Sequence, residues 1–230
     1  MTSPKNAALA RPDLTCGGSP SAMGEAQGSA LAERIRETHR RLADLELFRL
    51  QQPWWLPYGL FLGYAHRKVR RLLEEPRRRD HPRGAERLAG IARGAGLALE
   101  PVLLLNAFES FMSAVRDRCV VPPLGACSAV ALRGSRTEGG EPVITRLFDY
   151  VLMAQPFFAV RESRPEGGLR SLDFTVAPLA GAIDGINERG LAVTYNYGYT
   201  ADEAKPTGPI SLAISEALDR CATVEEAARW

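Results

Sequence analysis

The chain is short of several residue types that usually advertise a function. Lysine is almost missing, with only Lys5, Lys68 and Lys205, so arginine carries the basic charge. We read this as codon bias and not as a functional signal. Histidine is scarce too: His39, His66 and His81 all stand in the first half, among polar neighbours, where three exposed helix positions are expected. There is no GxSxG, no phosphate-binding glycine loop and no HExxH, which excludes the usual hydrolase, nucleotide and zinc-protease motifs. The four cysteines (Cys16, Cys119, Cys127, Cys221) show no CxxC or paired spacing, which argues against a zinc or redox site of that kind. No metal and no resident cofactor are expected. No apolar run reaches the roughly 18 residues of a membrane span. The longest, Trp54 to Ala65, is broken by Pro57 and by glycines.

Charge of one sign is missing as well. The 29 Lys+Arg nearly balance the 27 Asp+Glu, so no global field points to nucleic acid. What remains is ordinary globular composition: 230 residues, 45% hydrophobic, enough for one domain with an extension or for two small ones. Residues 1–28 are rich in Ser, Pro, Gly and Ala, lack the apolar centre of a signal peptide, and read as a flexible tail. A soluble, cytoplasmic protein is expected.

The pattern changes near residue 120. Before it, apolar residues recur every three or four positions, as on amphipathic helices. Helices are predicted over Ala30 to Gln51, with Leu31, Ile35, Leu42 and Leu45 on one face, and over Gly59 to Glu75 and Ala85 to Gly96. A further one starts at Leu99-Glu100-Pro101, where Pro suits an early helical position. After Pro122-Pro123, short strand-like runs take over: Cys127 to Leu132, Pro142 to Phe148, Phe157 to Arg161, Ser171 to Val176 and Leu191 to Asn196. Ile210 to Cys221 returns to helical spacing, and Thr223-Val224-Glu225-Glu226 is a capping box. The chain stops soon after that box, and so reads as a piece of something longer. The organisation expected is a tail over 1–28, a helical region over 29–126 and a strand-rich region over 127–230.

One constellation in the second half carries chemistry without histidine. Cys127 opens the first strand in Gly125-Ala126-Cys127-Ser128, Arg146 and Asp149 close the next, and Asn196 ends the strand after the Asp184-to-Gly190 turn. A thiol becomes nucleophilic at neutral pH when its proton is made easier to lose, and a guanidinium does that. An Asn amide donates to a developing oxyanion, which contributes about 3 kcal/mol. The base left to consider is the α-amino group of Cys127, freed by cutting the Ala126–Cys127 bond. Its pKa of about 7.7–8.0 suits proton abstraction. Arg146 and Asp149, three apart, share a site only if the strand bends or ends between them. Cys127 as a small buried hydrophobe, Arg146 as an exposed strand residue, and Asp149 and Asn196 as turn caps are the plain alternatives. Cys16, Cys119 and Cys221 are read as structural or incidental, and Asn187 as shaping its turn.

In Gly-x-Cys-Ser, in Arg146-x-x-Asp149 nineteen residues on, and in Asp184-Gly185-Ile186-Asn187-Glu188-Arg189-Gly190-Leu191, the chain resembles the N-terminal-nucleophile cysteine hydrolases. The nearest branches are the choloylglycine hydrolases and the acyl-coenzyme A:6-aminopenicillanic-acid acyltransferases. Gly90-Ile91-Ala92, Gly94-Ala95-Gly96 and Leu103-Leu104-Leu105-Asn106 are similar to propeptide-side helices of the acyltransferase branch. The resemblance implies an α+β fold, an αββα sandwich that is incomplete here, preceded by a helical propeptide-like region. It implies Cys127 as the self-exposed nucleophile, Arg146 and Asp149 beside it, and Asn196 as an oxyanion asparagine. The activity implied is autoprocessing, followed by hydrolysis or acyl transfer on a linear amide of a small molecule, with acyl-coenzyme A open as a co-substrate. A completing chain or a homo-oligomer stays open as partner, since the family's second half supplies a further Asn and Arg. Two departures stand out: Ala126 replaces the usual Gly, and Leu147 stands where choloylglycine hydrolases often have Asn.

Outside that constellation, Arg67-Lys68-Val69-Arg70-Arg71 and Arg77-Arg78-Arg79 follow the apolar Trp54-to-Leu62 stretch. The plain reading is a solvated helix face anchored by tryptophan. Weak contact with an anionic membrane surface is the alternative. Nucleic acid is not expected, because Glu74, Glu75 and Asp80 interrupt the run and no aromatics interleave it.

Overall fold

The computed structural model describes residues 11–115, 127–196 and 208–230. Its helices and two sheets are compatible with the expected α+β class. The largest correction comes at the start. Part of the stretch over 1–28 expected as a flexible tail is ordered: it holds strand β1 (Leu14–Gly18) and all but the end of helix α1 (Pro20–Ala30). Local chemistry starts that helix: Ser19 accepts a hydrogen bond from the Ala22 amide (3.3 Å), and Pro20 stands in the first turn, where a missing N–H costs nothing.

The stretch expected as one helix over Ala30 to Gln51 divides into α2 (Ala32–Arg41) and α3 (Glu46–Arg49). Tight turns break it, with the Leu42 amide donating to the His39 carbonyl and the Asp44 amide to that of Arg41. Helix α4 (Tyr58–Asp80) buries Phe61, Ala65, Val69 and Leu73, a stripe at every fourth residue. Helix α5 (Pro82–Ala95) begins on proline and ends at Gly96, whose φ of +64° places it in the left-handed region that favours glycine at a helix end. Helices α6 (Leu99–Asn106) and α7 (Phe108–Val115) follow. Phe48, Phe61, Phe108 and Phe111 meet in the core, with ring centroids 5.0–6.1 Å apart around Phe48.

Helices α1 and α5 cross unusually closely. At Gly24, Gly28, Gly90 and Gly94 any Cβ would collide with the facing helix backbone, so hydrogen is the only side chain that fits.

Strands β2 (Cys127–Leu132) and β3 (Val143–Phe148) form an antiparallel pair of their own. The larger sheet takes β4 (Phe158–Pro165), β5 (Ser171–Val176), β6 (Asp184–Asn187) and β7 (Ala192–Thr194), in the order β1-β4-β5-β6-β7. Only β1 runs parallel to its neighbour. The two sheets touch through aromatic rings, Phe148 lying 5.4 Å from Phe158 and 5.6 Å from Phe174. Helix α8 (Ile210–Arg220) packs on β6 and β7, and α9 (Val224–Arg229) opens at the expected cap, Thr223 accepting from the Glu226 amide (3.2 Å).

A charged pair is sealed beneath this architecture. Arg161 on β4 is wholly buried and faces its register partner Asp173 on β5 at 2.9 Å. The same guanidinium donates to Gln27 Oε1 of α1 (2.7 Å) and to the carbonyls of Leu179 (3.3 Å) and Gly181 (3.2 Å). Buried ions persist only when their remaining hydrogen-bonding capacity is met, and for the Arg161 guanidinium these contacts meet it.

Candidate active site

Antiparallel pairing builds the centre of the site. Cys127 is the register partner of Phe148 and Ala129 that of Arg146, so Cys127 and Arg146 are diagonal neighbours on one face. The small Ala129 opposite leaves the guanidinium room to lean over. Arg146 Nη2 reaches Cys127 Sγ at 3.2 Å. Its Nη1 donates to Asp184 Oδ2 at 2.8 Å, and Nη2 also donates to the Tyr195 carbonyl. From below, the guanidinium carbon lies 4.6 Å from the centroid of the Phe148 ring. With 6% of its side chain exposed, Arg146 is a cation fixed from several directions.

Asp184 completes the frame. Its Oδ1 accepts from the Tyr195 amide (3.3 Å) while Oδ2 holds Arg146, so one carboxylate ties the start of β6 to the end of β7. Burial raises the Asp184 carboxyl above its ordinary range, and the Arg146 charge and hydrogen bond pull the other way. Sequence reasoning missed this residue as a site member. An Asp before Gly is explained equally well by turn chemistry. The usable signal was its place at the head of the Asp184-to-Leu191 motif.

A second partly buried carboxylate was also missed. Glu109 on α7 accepts from the Tyr195 hydroxyl (3.2 Å) and from Tyr150. Burial raises its carboxyl, and the two phenol bonds oppose the rise.

The other expected residues lie at the margin. Asp149 follows the last rung of the β2–β3 ladder and is exposed. Among the described residues it makes no hydrogen bond or ion pair to Cys127, Arg146 or Asp184. The strand does end between Arg146 and Asp149, but side chains 146, 148 and 150 face inward while 147 and 149 face out. Asn196 is exposed and directly follows Tyr195. Ala126, the expected cleavage position, and Cys119 lie outside the described residues.

The histidines are corrected. None is simply an exposed helix residue: His81 is buried 3.4 Å from Glu216, and His39 and His66 form a half-buried pair. None is hydrogen-bonded to Cys127. Cys16 and Cys221 are buried. Asn187 is buried and shapes its turn, accepting from the Arg189 and Leu191 amides (3.1 Å each) and donating to the Leu218 and Cys221 carbonyls. No group of three or more His, Cys, Asp or Glu able to hold a metal occurs among the described residues, and none of the described helices is long and apolar enough to cross a membrane.

Residues 137–230 match the family model of acyl-coenzyme A:6-aminopenicillanic acid acyl-transferase. The matched stretch includes Arg146, Asp149, Asp184 and Asn196 and begins after Cys127. It is the second of the two branches to which the short motifs pointed. No curated protein matches the chain.

Proposed function

We propose that the chain is a cysteine amidohydrolase or acyltransferase that cuts its own Ala126–Cys127 bond and then acts on a linear amide of a small molecule. One observation carries the proposal: a fixed, desolvated guanidinium 3.2 Å from the Cys127 sulfur, supplied by Arg146 from within the matched region. The freed α-amine of Cys127 takes the thiol proton, and the sulfur attacks the amide carbonyl. Asn196 and backbone N–H groups receive the oxyanion. As the C–N bond breaks, the amine passes its proton to the leaving nitrogen, and an acyl-thioester remains. Water resolves it to the acid, or an amine to a new amide, with acyl-coenzyme A as an alternative acyl source. Asp149, just past the end of β3, is the residue assigned to hold the new amine. The αββα sandwich and the propeptide role of the helical region belong to the same proposal.

Intact-mass measurement of the purified chain tests it. A fragment beginning at Cys127 is expected, and Cys127→Ala abolishes it. A wild-type chain that stays whole under activating conditions leaves the rival, a non-catalytic homologue.

A second reading concerns a different surface, at the start of α4. Trp54 and Trp55 are 96% and 65% exposed, and Leu60 and Tyr64 continue an apolar strip on α4 that leads to exposed Arg67 and Arg71. Tryptophans beside arginines suit an anionic lipid interface. Co-sedimentation with anionic vesicles tests this: binding that salt weakens supports it, and absence of pelleting removes it.

A further inference from the structure

Glu109 belongs to the helical half, upstream of Cys127, yet its carboxylate ends among the residues that frame the sulfur. It accepts hydrogen bonds from two phenols that follow strands of different sheets, Tyr150 after β3 and Tyr195 after β7. Tyr195 brings its hydroxyl to Oε2 at 3.2 Å, and Tyr150 brings a second. Neither tyrosine is a bystander. Tyr150 directly follows Asp149, and its ring stacks on Phe148 (5.3 Å, 12° between planes), the same ring that supports Arg146. Tyr195 directly precedes Asn196, with its carbonyl held by Arg146 and its amide by Asp184. Phenols bring hydrogen bonds but no positive charge, so the arrangement serves geometry better than neutralisation.

We infer that Glu109 is a positioning residue: by holding both phenols it fixes Tyr150, whose ring stacks on the Phe148 that supports Arg146, and Tyr195, whose backbone is held by Arg146 and Asp184. The inference rests on the reading given under Proposed function.

The test uses the full chain and its own cleavage as readout, so no substrate need be known. Release of the fragment beginning at Cys127 is followed by mass in wild type, Glu109→Ala, Glu109→Gln and the Tyr150→Phe/Tyr195→Phe double variant, with melting temperature recorded for each. Misplacement of catalytic groups by about an ångström costs on the order of 100-fold. The expected pattern is about 100-fold slower release in Glu109→Ala and partial rescue in Glu109→Gln, whose amide oxygen still accepts one phenol. The double tyrosine variant matches Glu109→Ala, and adding Glu109→Ala to it gives no further slowing. If Glu109→Ala loses its cooperative melting transition, the tyrosine variants, each lacking a single hydroxyl, decide. Wild-type release beside equally fast release in the double tyrosine variant overturns the inference alone. A wild type that never releases the fragment overturns the underlying reading, and this inference with it.

Discussion

At the scale of single residues, the His39–His66 pair makes the sharpest demand on conditions. Their Nε2 atoms lie 3.2 Å apart with the rings stacked, a contact that needs one nitrogen to donate and the other to accept. Two protonated rings have only donors to offer. Burial, and next the His39 charge, pull His66 down to about 4, with Glu100 opposing; burial lowers His39 as well. Because the unfolded chain takes up these protons near 6.5, stability from the pair is present above that pH and is lost as pH falls toward 4. After discounting for partial solvent access, about 1–2 kcal/mol is at stake. Asp219, raised by burial to about 6, works against this trend, so the comparison must be between variants. His66→Asn is expected to lose less melting temperature than wild type between pH 7 and pH 4; parallel slopes would rule the pair out as the cause. How far such residues can be read from sequence depends on whether their chemistry has a local signature. Cys127 and Arg146 stand out in the order of short motifs, while the register that sets them on one face comes from the pairing of β2 with β3. Glu109 does not stand out, since an acid in a first helical turn is already explained by the helix dipole.

At the scale of elements, the α1–α5 crossing fixes how near the N-terminal helix lies to the core. Gly24→Ala would drive a methyl into the Arg87 backbone, and overpacking of this kind costs about 1–3 kcal/mol. For a chain of this size that is a melting temperature lower by roughly 3–10 °C. Gly63→Ala, on the exposed face of α4 with open space around it, is expected to raise stability by about 0.5–1 kcal/mol. Equal effects at the two glycines in thermal melts would remove the crossing as the explanation. The same glycines account for what sequence reasoning lost. They lower helix propensity and raise loop character, so the α1 sequence reads as tail, and the Gly17-Gly18 end of β1 reads the same way. Strands β2 and β5, by contrast, start and stop where expected, because small and β-branched residues there are bounded by glycine and proline. Residues 184–187 read as turn yet pair as β6, since their partners on β5 and β7 lie elsewhere in the sequence.

At the scale of the whole molecule, the sealed Arg161–Asp173 pair joins α1, β4 and β5 around one guanidinium. Removing either partner leaves a buried charge without its counterion, which costs about 3–5 kcal/mol. Against a total of roughly 5–15 kcal/mol, that is enough to threaten the fold. Arg161→Met and Asp173→Leu are each expected to lower the urea midpoint strongly, and the double variant to lose less than the two combined; strict additivity would contradict the coupling. The parallel rung that lies over this pair carries a different consequence. Leu14 finds Arg161 only across 147 intervening steps of chain. At a ribosomal pace of about 5–20 residues per second, the opening strand waits roughly 7–30 s for its neighbour to emerge. During that interval its row of unmatched amides and carbonyls faces the cell. A nascent chain held at that stage is therefore where a ribosome-associated chaperone has the most to protect.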